Sequence, residues 1–278
     1  MSNRVFPLKR EKRDLRDYHF MSTAFKSPVE LPKKVDLRSD MSPIVDQGAL
    51  GSCTANAIAS GLREYLLVSS QEKWTALSRL FLYWHERKLE GHVDEDSGAY
   101  IRDGMKVLQK IGVCPEEDYP YNIADFRDTP NPKAELDAAK YKIIDYHRIT
   151  DLYALKAALA EQSPVVIGMM LYESFQSPEA AQTGKIPIPK KKSERVLGGH
   201  AMLAVGYVDR GQSGHNIVRN SWGEDWGYQG YCYIPYKMFQ DPDCVKDMWT
   251  GRQPINVFFF LRKRTSSNKL KSLHRRLK

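Results

Sequence analysis

The chain has 278 residues, 42% of them hydrophobic, which is enough to bury the core of one large domain or of two lobes. No run reaches the roughly 18 apolar residues of a membrane span, and no apolar stretch follows the charged N-terminus as it would in a signal peptide. The net charge of +8 arises in residues 262–278, which hold eight basic residues and no acidic one. The other 34 basic residues equal the 34 acidic residues in number, so the basic character describes a tail and not the body.

We interpret residues 1–30 as an N-terminal extension ahead of the folded body. Residues 9–17 hold too many basic and acidic side chains to form a core element. The segment 18–21 and Phe25 then supply aromatic side chains. Such side chains have to be covered by something. The sequence leaves two alternatives open: the arm packs on the body only, or it also blocks a functional site.

The stretch 46–57 contains the first candidate for chemistry. Two glycines and a short polar run lead to Cys53, and apolar residues then recur at helical spacing. Cys53 is therefore predicted in the first turn of a helix, where free N–H groups and a partial positive charge lower the pKa of a thiol. Gln47 lies close enough in sequence to share an oxyanion hole with the backbone N–H of Cys53.

Hydrophobic periodicity further along the chain predicts mostly helices first and mostly strands later. The predicted helices span 77–87, 101–110 and 152–161, and the predicted strands span 141–146, 164–171, 200–207, 215–220, 230–234 and 257–261. Prolines and polar residues indicate a loop at 122–134, and we expect the lobe boundary just after it. The pattern predicts an α+β protein.

Two further residues with catalytic potential lie in the strand-rich half. His200 follows two glycines, and Asn220 opens an Asn-Ser-Trp-Gly run. A histidine can act as the base for a cysteine nucleophile, and an amide can orient that histidine. Zinc-type Cys/His spacing and Gly-rich phosphate loops are absent from the sequence, so we expect neither a metal nor another cofactor.

These residues together resemble the signature blocks of papain/cathepsin-type cysteine peptidases. The blocks are Gln47, Gly51–Cys53, His200–Leu203, Val205–Tyr207 and Asn220–Gly227. The spacing agrees with the resemblance, because His200 lies 147 residues and Asn220 lies 167 residues after Cys53. The similarity runs from about Leu31 to Leu261 and leaves out 1–30 and 262–278.

The resemblance implies a papain-like two-lobe fold with the active site between the lobes. Residues 31–261 would form the peptidase domain, with a helical N-terminal lobe at about 45–140 and an antiparallel, β-barrel-like C-terminal lobe at 141–261. The implied activity is that of a cysteine endopeptidase acting on polypeptides through a thiolate–imidazolium pair and a thioester acyl-enzyme. Cys53 and His200 would react, Asn220 would orient the imidazole, and Gln47 would stabilise the oxyanion.

The resemblance also implies residues that bind substrate. They are Ser97, Gly98, Gly168, Met169, Gly199 and Trp222. An ordinary turn is the alternative for Ser97 and Gly98, and a plain core strand is the alternative for Met169. In this family the segment ahead of the mature start is often an inhibitory propeptide, so the resemblance allows residues 1–30 to inhibit the protein's own site, although they are short for a propeptide and packing on the body alone is the alternative.

Three departures from the family pattern concern the neighbours of reacting groups. Thr54 stands where a tryptophan is common, Leu50 replaces a disulfide cysteine, and Gly199 replaces a residue that is often Asn. They resemble the bacterial, archaeal and large-virus branch of the family. Only four cysteines are present and they are scattered, which fits the cytoplasm or another reducing compartment and leaves open non-classical export or virion packaging.

Rival functions follow from the same residues. An acyl transferase or deamidase would use the same Cys and His chemistry, and a catalytically dead papain-like binding protein would have lost at least one of these groups. The basic tail at 262–278 allows contact with anionic membrane or nucleic acid, or it is a solvated segment without a partner.

Overall fold

The computed structural model describes residues 4–210 and 213–253 of the chain. Its three longest helices lie in the first half, and all but one of its strands follow residue 141. The helices are α1 (Cys53–Ala55, then π-helical Asn56–Arg63, then Glu64–Ser69), α2 (Arg79–Glu90), α3 (Ile101–Lys110), α4 (Pro132–Ala138), α5 (Leu152–Ala160), α6 (Pro178–Thr183) and α7 (Tyr236–Phe239). None of the helices in these described ranges is long and apolar enough to cross a bilayer.

Capping residues set the ends of α2. The Ser78 hydroxyl accepts a hydrogen bond from the Phe81 N–H at 3.0 Å, which starts the helix, and Gly91 ends it with a φ of 78°. The helix therefore begins two residues later and ends three residues later than hydrophobic periodicity predicts. The predicted helix at 101–110 is confirmed as α3.

Seven strands form one antiparallel sheet. They are β1 (Lys34–Asp36), β2 (Asp145–Ile149), β3 (Val165–Tyr172), β4 (Val196–Arg210), β5 (Ser213–Arg219), β6 (Tyr231–Pro235) and β7 (Val245–Arg252). Their order is β2-β7-β3-β4-β5-β6, and β1 pairs with β4. The buried run at 164–171 is confirmed as β3, a central strand between β4 and β7.

The sheet is open in the residues that the structure describes. It does not close into the barrel-like lobe that the family resemblance implies. Other chain segments, and not the opposite strand, cover its two outer strands. The Phe20 N–H donates to the Arg148 carbonyl in β2 at 2.8 Å, and Lys185 forms a bridge with Tyr233 in β6. The α+β architecture itself is confirmed.

Two strand predictions need correction. The strand expected at 141–146 begins later, because Ala139–Tyr141 forms a 3-10 turn before β2. The strand β7 was missed, since Lys246 and Asp247 interrupt its apolar pattern although Trp249 is fully buried. The strand predicted at 257–261 and the basic tail at 262–278 lie outside the described residues.

Close packing of α1 on β4 brings the two halves of the protein together. Every residue from Cys53 to Leu67 is buried, and a Cβ placed on Gly61 would lie 3.1 Å from Leu203 Cδ2 in β4. A larger side chain would push the helix off the sheet. The π-helical turns at Asn56–Arg63 lie in this contact, and such turns are frequent next to functional sites.

We expect substitutions of Gly61 to report on this packing. Gly61→Leu should lower the free energy of unfolding by about 1–3 kcal/mol, because the added atoms have no room against Leu203. Gly61→Ala should be nearly neutral, since the flexible Leu203 side chain can shift and alanine favours a helix. Urea unfolding of both variants measures the difference, and equal stability of the two would contradict the packing argument.

Candidate active site

The predicted nucleophile and base meet where α1 begins beside β4. Cys53 is the first residue of α1 and His200 lies in β4; their exposed fractions are 1% and 0%. The backbone N–H of Ala201, the residue after His200, favours the ionised form of the Cys53 thiol and so lowers its pKa. Residues 147 positions apart are therefore neighbours at the site.

Asn220 fixes the tautomer and orientation of His200. The Asn220 Oδ1 atom lies 2.8 Å from His200 Nε2 and also accepts from the Ser221 N–H at 2.9 Å. Because that oxygen is an acceptor, Nε2 carries the proton and Nδ1 is left with its lone pair. Nδ1 is buried without a hydrogen-bond partner among the described residues. It is thus available to take a proton from the thiol.

Gln47 lies at the same site, held at both ends of its amide. Its Oε1 accepts from the Ser221 hydroxyl at 2.8 Å, and its Nε2 donates to the Leu50 carbonyl at 2.9 Å. The second hydrogen of Nε2 remains for another acceptor. The arrangement supplies a preorganised donor on the loop that leads into Cys53.

The electrostatic state of the pair differs from the sequence prediction. Burial raises the pKa of Cys53 to about 12, although the backbone N–H groups of Ala201 and Thr54 act in the opposite direction. Burial also lowers the pKa of His200 to about 4, against the hydrogen bond with Asn220 that favours the charged ring. The expectation of a lowered thiol pKa is wrong for this state, because desolvation outweighs the helix terminus. Burial thus favours the neutral forms of both groups, the thiol and the imidazole.

The N-terminal arm runs through the cleft directly beside this pair. The Gly199 N–H donates to the Phe6 carbonyl at 3.0 Å, and the Leu8 N–H donates to the Gly199 carbonyl at 3.1 Å. On the other wall, the Lys9 N–H donates to the Ala99 carbonyl at 3.2 Å. The arm is therefore held as an extended peptide between the two walls.

Three glycines that the family resemblance implies as substrate-binding residues leave room for the arm. A Cβ on Gly98, whose φ is +65°, would lie 2.2 Å from the Pro7 carbonyl oxygen, and one on Gly199 would lie 2.7 Å from the Leu8 oxygen. A Cβ on Gly168 would come 3.1 Å from Leu8 Cδ2. These three residues line the path of the arm.

The other predicted substrate-binding residues divide into two groups. Ser97 contacts the arm, because its hydroxyl lies 3.3 Å from Lys9 Nζ. Trp222 covers His200, with ring centroids 5.1 Å apart, and its ring centroid lies 5.8 Å from that of Phe6. Met169 is buried in the core, and strand alternation directs it to the face opposite Gly168. The structure does not bring Met169 to the arm.

Several supporting residues were missed in the sequence. The Asp96 carboxylate accepts from the Gly51 N–H at 3.0 Å and from the Tyr83 hydroxyl at 2.5 Å, so it braces the loop before Cys53. Thr54 donates to the buried carboxyl of Glu86 at 2.6 Å. Neither contact is signalled by periodicity or by a motif, since each joins residues from separate elements.

Glu86 gives this region a defined pH dependence. Burial raises the pKa of its carboxyl well above 4.5, so the folded protein holds a proton that the unfolded chain releases. Stability is therefore lost as the pH rises through the folded-state pKa. Glu86→Gln should be increasingly more stable than the parent as the pH rises above 4.5. Unfolding curves from pH 5 to 9 test this, and a pH-independent difference would contradict it.

Comparison with known proteins identifies the family. Residues 31–245 match the sequence model of the papain family cysteine proteases, so the chain belongs to this family. An uncharacterized peptidase C1-like protein of Acanthamoeba polyphaga mimivirus is 40% identical over 229 residues, which cover 79% of this chain and 72% of that protein. A cathepsin L-like peptidase of Aedes aegypti is 33% identical, and the match covers 73% of this chain and 58% of that protein.

Solved structures agree with this assignment. Xylellain, a cysteine protease from Xylella fastidiosa, is 36% identical with a TM-score of 0.81, over 91% of this chain and 97% of that one. Procathepsin L 3 of Tenebrio molitor shares only the fold, at 19% identity and a TM-score of 0.69, over 90% of this chain and 76% of that one. The resemblance stated from the sequence is confirmed, and the chain is a papain-like cysteine peptidase of the hydrolase class.

Proposed function

We propose that the protein is an endopeptidase in which Cys53 is the nucleophile, His200 the base, Asn220 its orienting group and Gln47 an oxyanion donor. The contact that supports this most strongly is the 2.8 Å hydrogen bond between His200 Nε2 and Asn220 Oδ1, which leaves Nδ1 free for the thiol. We further propose that residues 1–30 inhibit a peptidase domain spanning 31–261.

The catalytic cycle follows from the charges of these groups. Nδ1 of His200 takes the thiol proton, and the thiolate of Cys53 attacks the peptide carbonyl. The Gln47 side chain and the Cys53 N–H stabilise the oxyanion of the tetrahedral intermediate. His200 then protonates the leaving amine, and water hydrolyses the thioester with the imidazole again acting as base.

Single substitutions test these assignments. Cys53→Ala and His200→Ala should each abolish cleavage of a fluorogenic peptide by reduced protein, and the double variant should lose no more, because the two groups act as a unit. Asn220→Ala should lose less, since it orients without reacting. The matched control is His215→Ala. If His200→Ala stayed within tenfold of the parent, the assignment of the base would fail.

The products decide between the enzymatic alternatives. Mass spectrometry after incubation with peptide and an added amine separates hydrolysis from aminolysis and from side-chain deamidation. Exclusive transfer to the amine, or release of side-chain ammonia alone, would favour an acyl transferase or a deamidase.

Inhibition by the arm is supported by its position and by the state of the pair. The Phe6 ring packs against both His200 and Trp222, with ring centroids 6.1 and 5.8 Å away. Leu8 fills the space beside Gly168 and Ile101 that a substrate side chain would need. The arm thereby excludes substrate and also water, and without water the ionised pair is disfavoured.

A carboxylate placed in the arm should open the cleft. Leu8→Asp in the full chain should raise kcat/KM for small peptides at least tenfold, because an aspartate cannot stay ionised in the apolar space beside Gly168. The same variant should speed alkylation of Cys53 by iodoacetamide at neutral pH, since hydration restores the thiolate.

The matched control for this test is Leu15→Asp. Leu15 also belongs to the arm but is 88% exposed, so the added charge should change neither rate. Equal activity of Leu8→Asp and the parent chain would show that the arm is a structural strap and not an inhibitor.

The cysteines support a reducing compartment as the site of action. All four, namely Cys53, Cys114, Cys232 and Cys244, are free and buried. The residue at the usual disulfide position is Leu50, which packs in the core. No disulfide is needed to hold the nucleophile loop, because Asp96 and Gln47 already bond it.

A further inference from the structure

The arm carries a lysine whose charge is matched by the cleft wall. Lys9 Nζ lies 2.6 Å from Glu90 Oε2 and 3.3 Å from the Ser97 hydroxyl. The same ammonium lies 5.7 Å from the centroid of the Tyr100 ring. A carboxylate, a hydroxyl and an aromatic face together make a site that suits an alkylammonium group.

The body of the protein, and not the arm, holds Glu90 in place. Glu90 is the last residue of α2, and its Oε1 accepts from the Tyr100 N–H at 2.9 Å. Its side chain is 6% exposed with the arm docked. In the part of the chain that the structure describes, Lys9 is the one cation that forms an ion pair with Glu90. When the arm leaves, this carboxylate loses its counter-ion.

The order of arm contacts gives the position of this carboxylate in the cleft. Phe6 contacts His200, Pro7 covers Gly51 and Gly98, and Leu8 reaches Gly168. Lys9 follows on the side away from His200. A substrate side chain that binds at Glu90 would thus belong to the residue next to the one whose side chain lies beside Gly168. It would lie farther from the reacting groups.

We propose that Glu90, Ser97 and Tyr100 form a cation subsite that selects substrates with lysine or arginine next to an apolar residue, the apolar residue lying beside Gly168. This inference rests on the proposed endopeptidase function and specifies its substrate class. The alternative is that the Lys9–Glu90 pair only fastens the arm, with no effect on substrate choice.

Competing peptide substrates separate these two roles. The probes are acetyl-Xaa-Leu-Gly-aminomethylcoumarin peptides in which Xaa is lysine, norleucine or glutamate. Because all three need the same displaced arm, the fraction of open protein cancels from the ratio of their kcat/KM values within one variant. The full chain can therefore be used, with Leu8→Asp as a more active background.

The expected result is a preference that depends on Glu90. Lysine should be favoured over norleucine by about tenfold or more, the usual effect of a charge-assisted contact, and glutamate should be disfavoured. Glu90→Gln should bring the lysine-to-norleucine ratio close to one. Glu95→Gln is the matched control, since the Glu95 side chain is 71% exposed and should leave the ratio unchanged.

Each other outcome is decisive. A ratio near one in the parent chain, or one that Glu90→Gln leaves unchanged, overturns the subsite and restricts Glu90 to fastening the arm. If Glu90→Gln fails to fold, the lysine, norleucine and glutamate series on the parent chain alone decides. Absence of cleavage of every peptide, even by Leu8→Asp, would instead refute the proposed endopeptidase function.

Discussion

The packing of α1 against β4 is the contact on which the rest of the structure depends. It brings Cys53 to the residue after His200, and it needs a small residue at Gly61 to let Leu203 approach. The strand β4 in turn pairs with β3 and β5, so the histidine lies in the middle of the sheet and not at its edge. The proposed reacting pair, built from two distant segments, is therefore held by the hydrophobic core itself.

The arm is part of this core as well as a cover for the cleft. Glu11 is buried, and its carboxylate accepts from Trp249 Nε1 at 3.1 Å and from Arg148 Nη1 at 3.0 Å. Burial and the nearby Asp247 raise the pKa of Glu11 to about 7. At Glu11 a docked arm thus holds a proton that a released arm gives up, so the contribution of this residue to docking weakens as the pH rises from 4.5 through 7.

The sequence predicts best the elements that have a regular hydrophobic spacing and the residues that lie in family motifs. Local patterns predict the helix after Cys53 and the buried strand β3, and the motif blocks predict the family. Contacts between separate elements were not legible: Asp96 on Gly51, Thr54 on Glu86 and the arm along Gly199 have no local signal. The helix terminus alone predicts a lowered thiol pKa, whereas the burial that raises it has no signal in the sequence.

In the proposed inhibition, the docked arm controls both the access of substrate to the cleft and the ionisation of the reacting groups. Phe6 lies beside His200 and Leu8 beside Gly168, so in the proposed inhibition the same side chains exclude substrate and keep water from the groups that must ionise. In the proposed mechanism, release of the arm opens the cleft and, through hydration, lets the thiol pass its proton to Nδ1 of His200. An inhibitor that only blocked the cleft would leave a reactive thiolate behind it, exposed to oxidation and alkylation. In the proposed closed state the thiol of Cys53 stays protonated and is therefore a poor nucleophile.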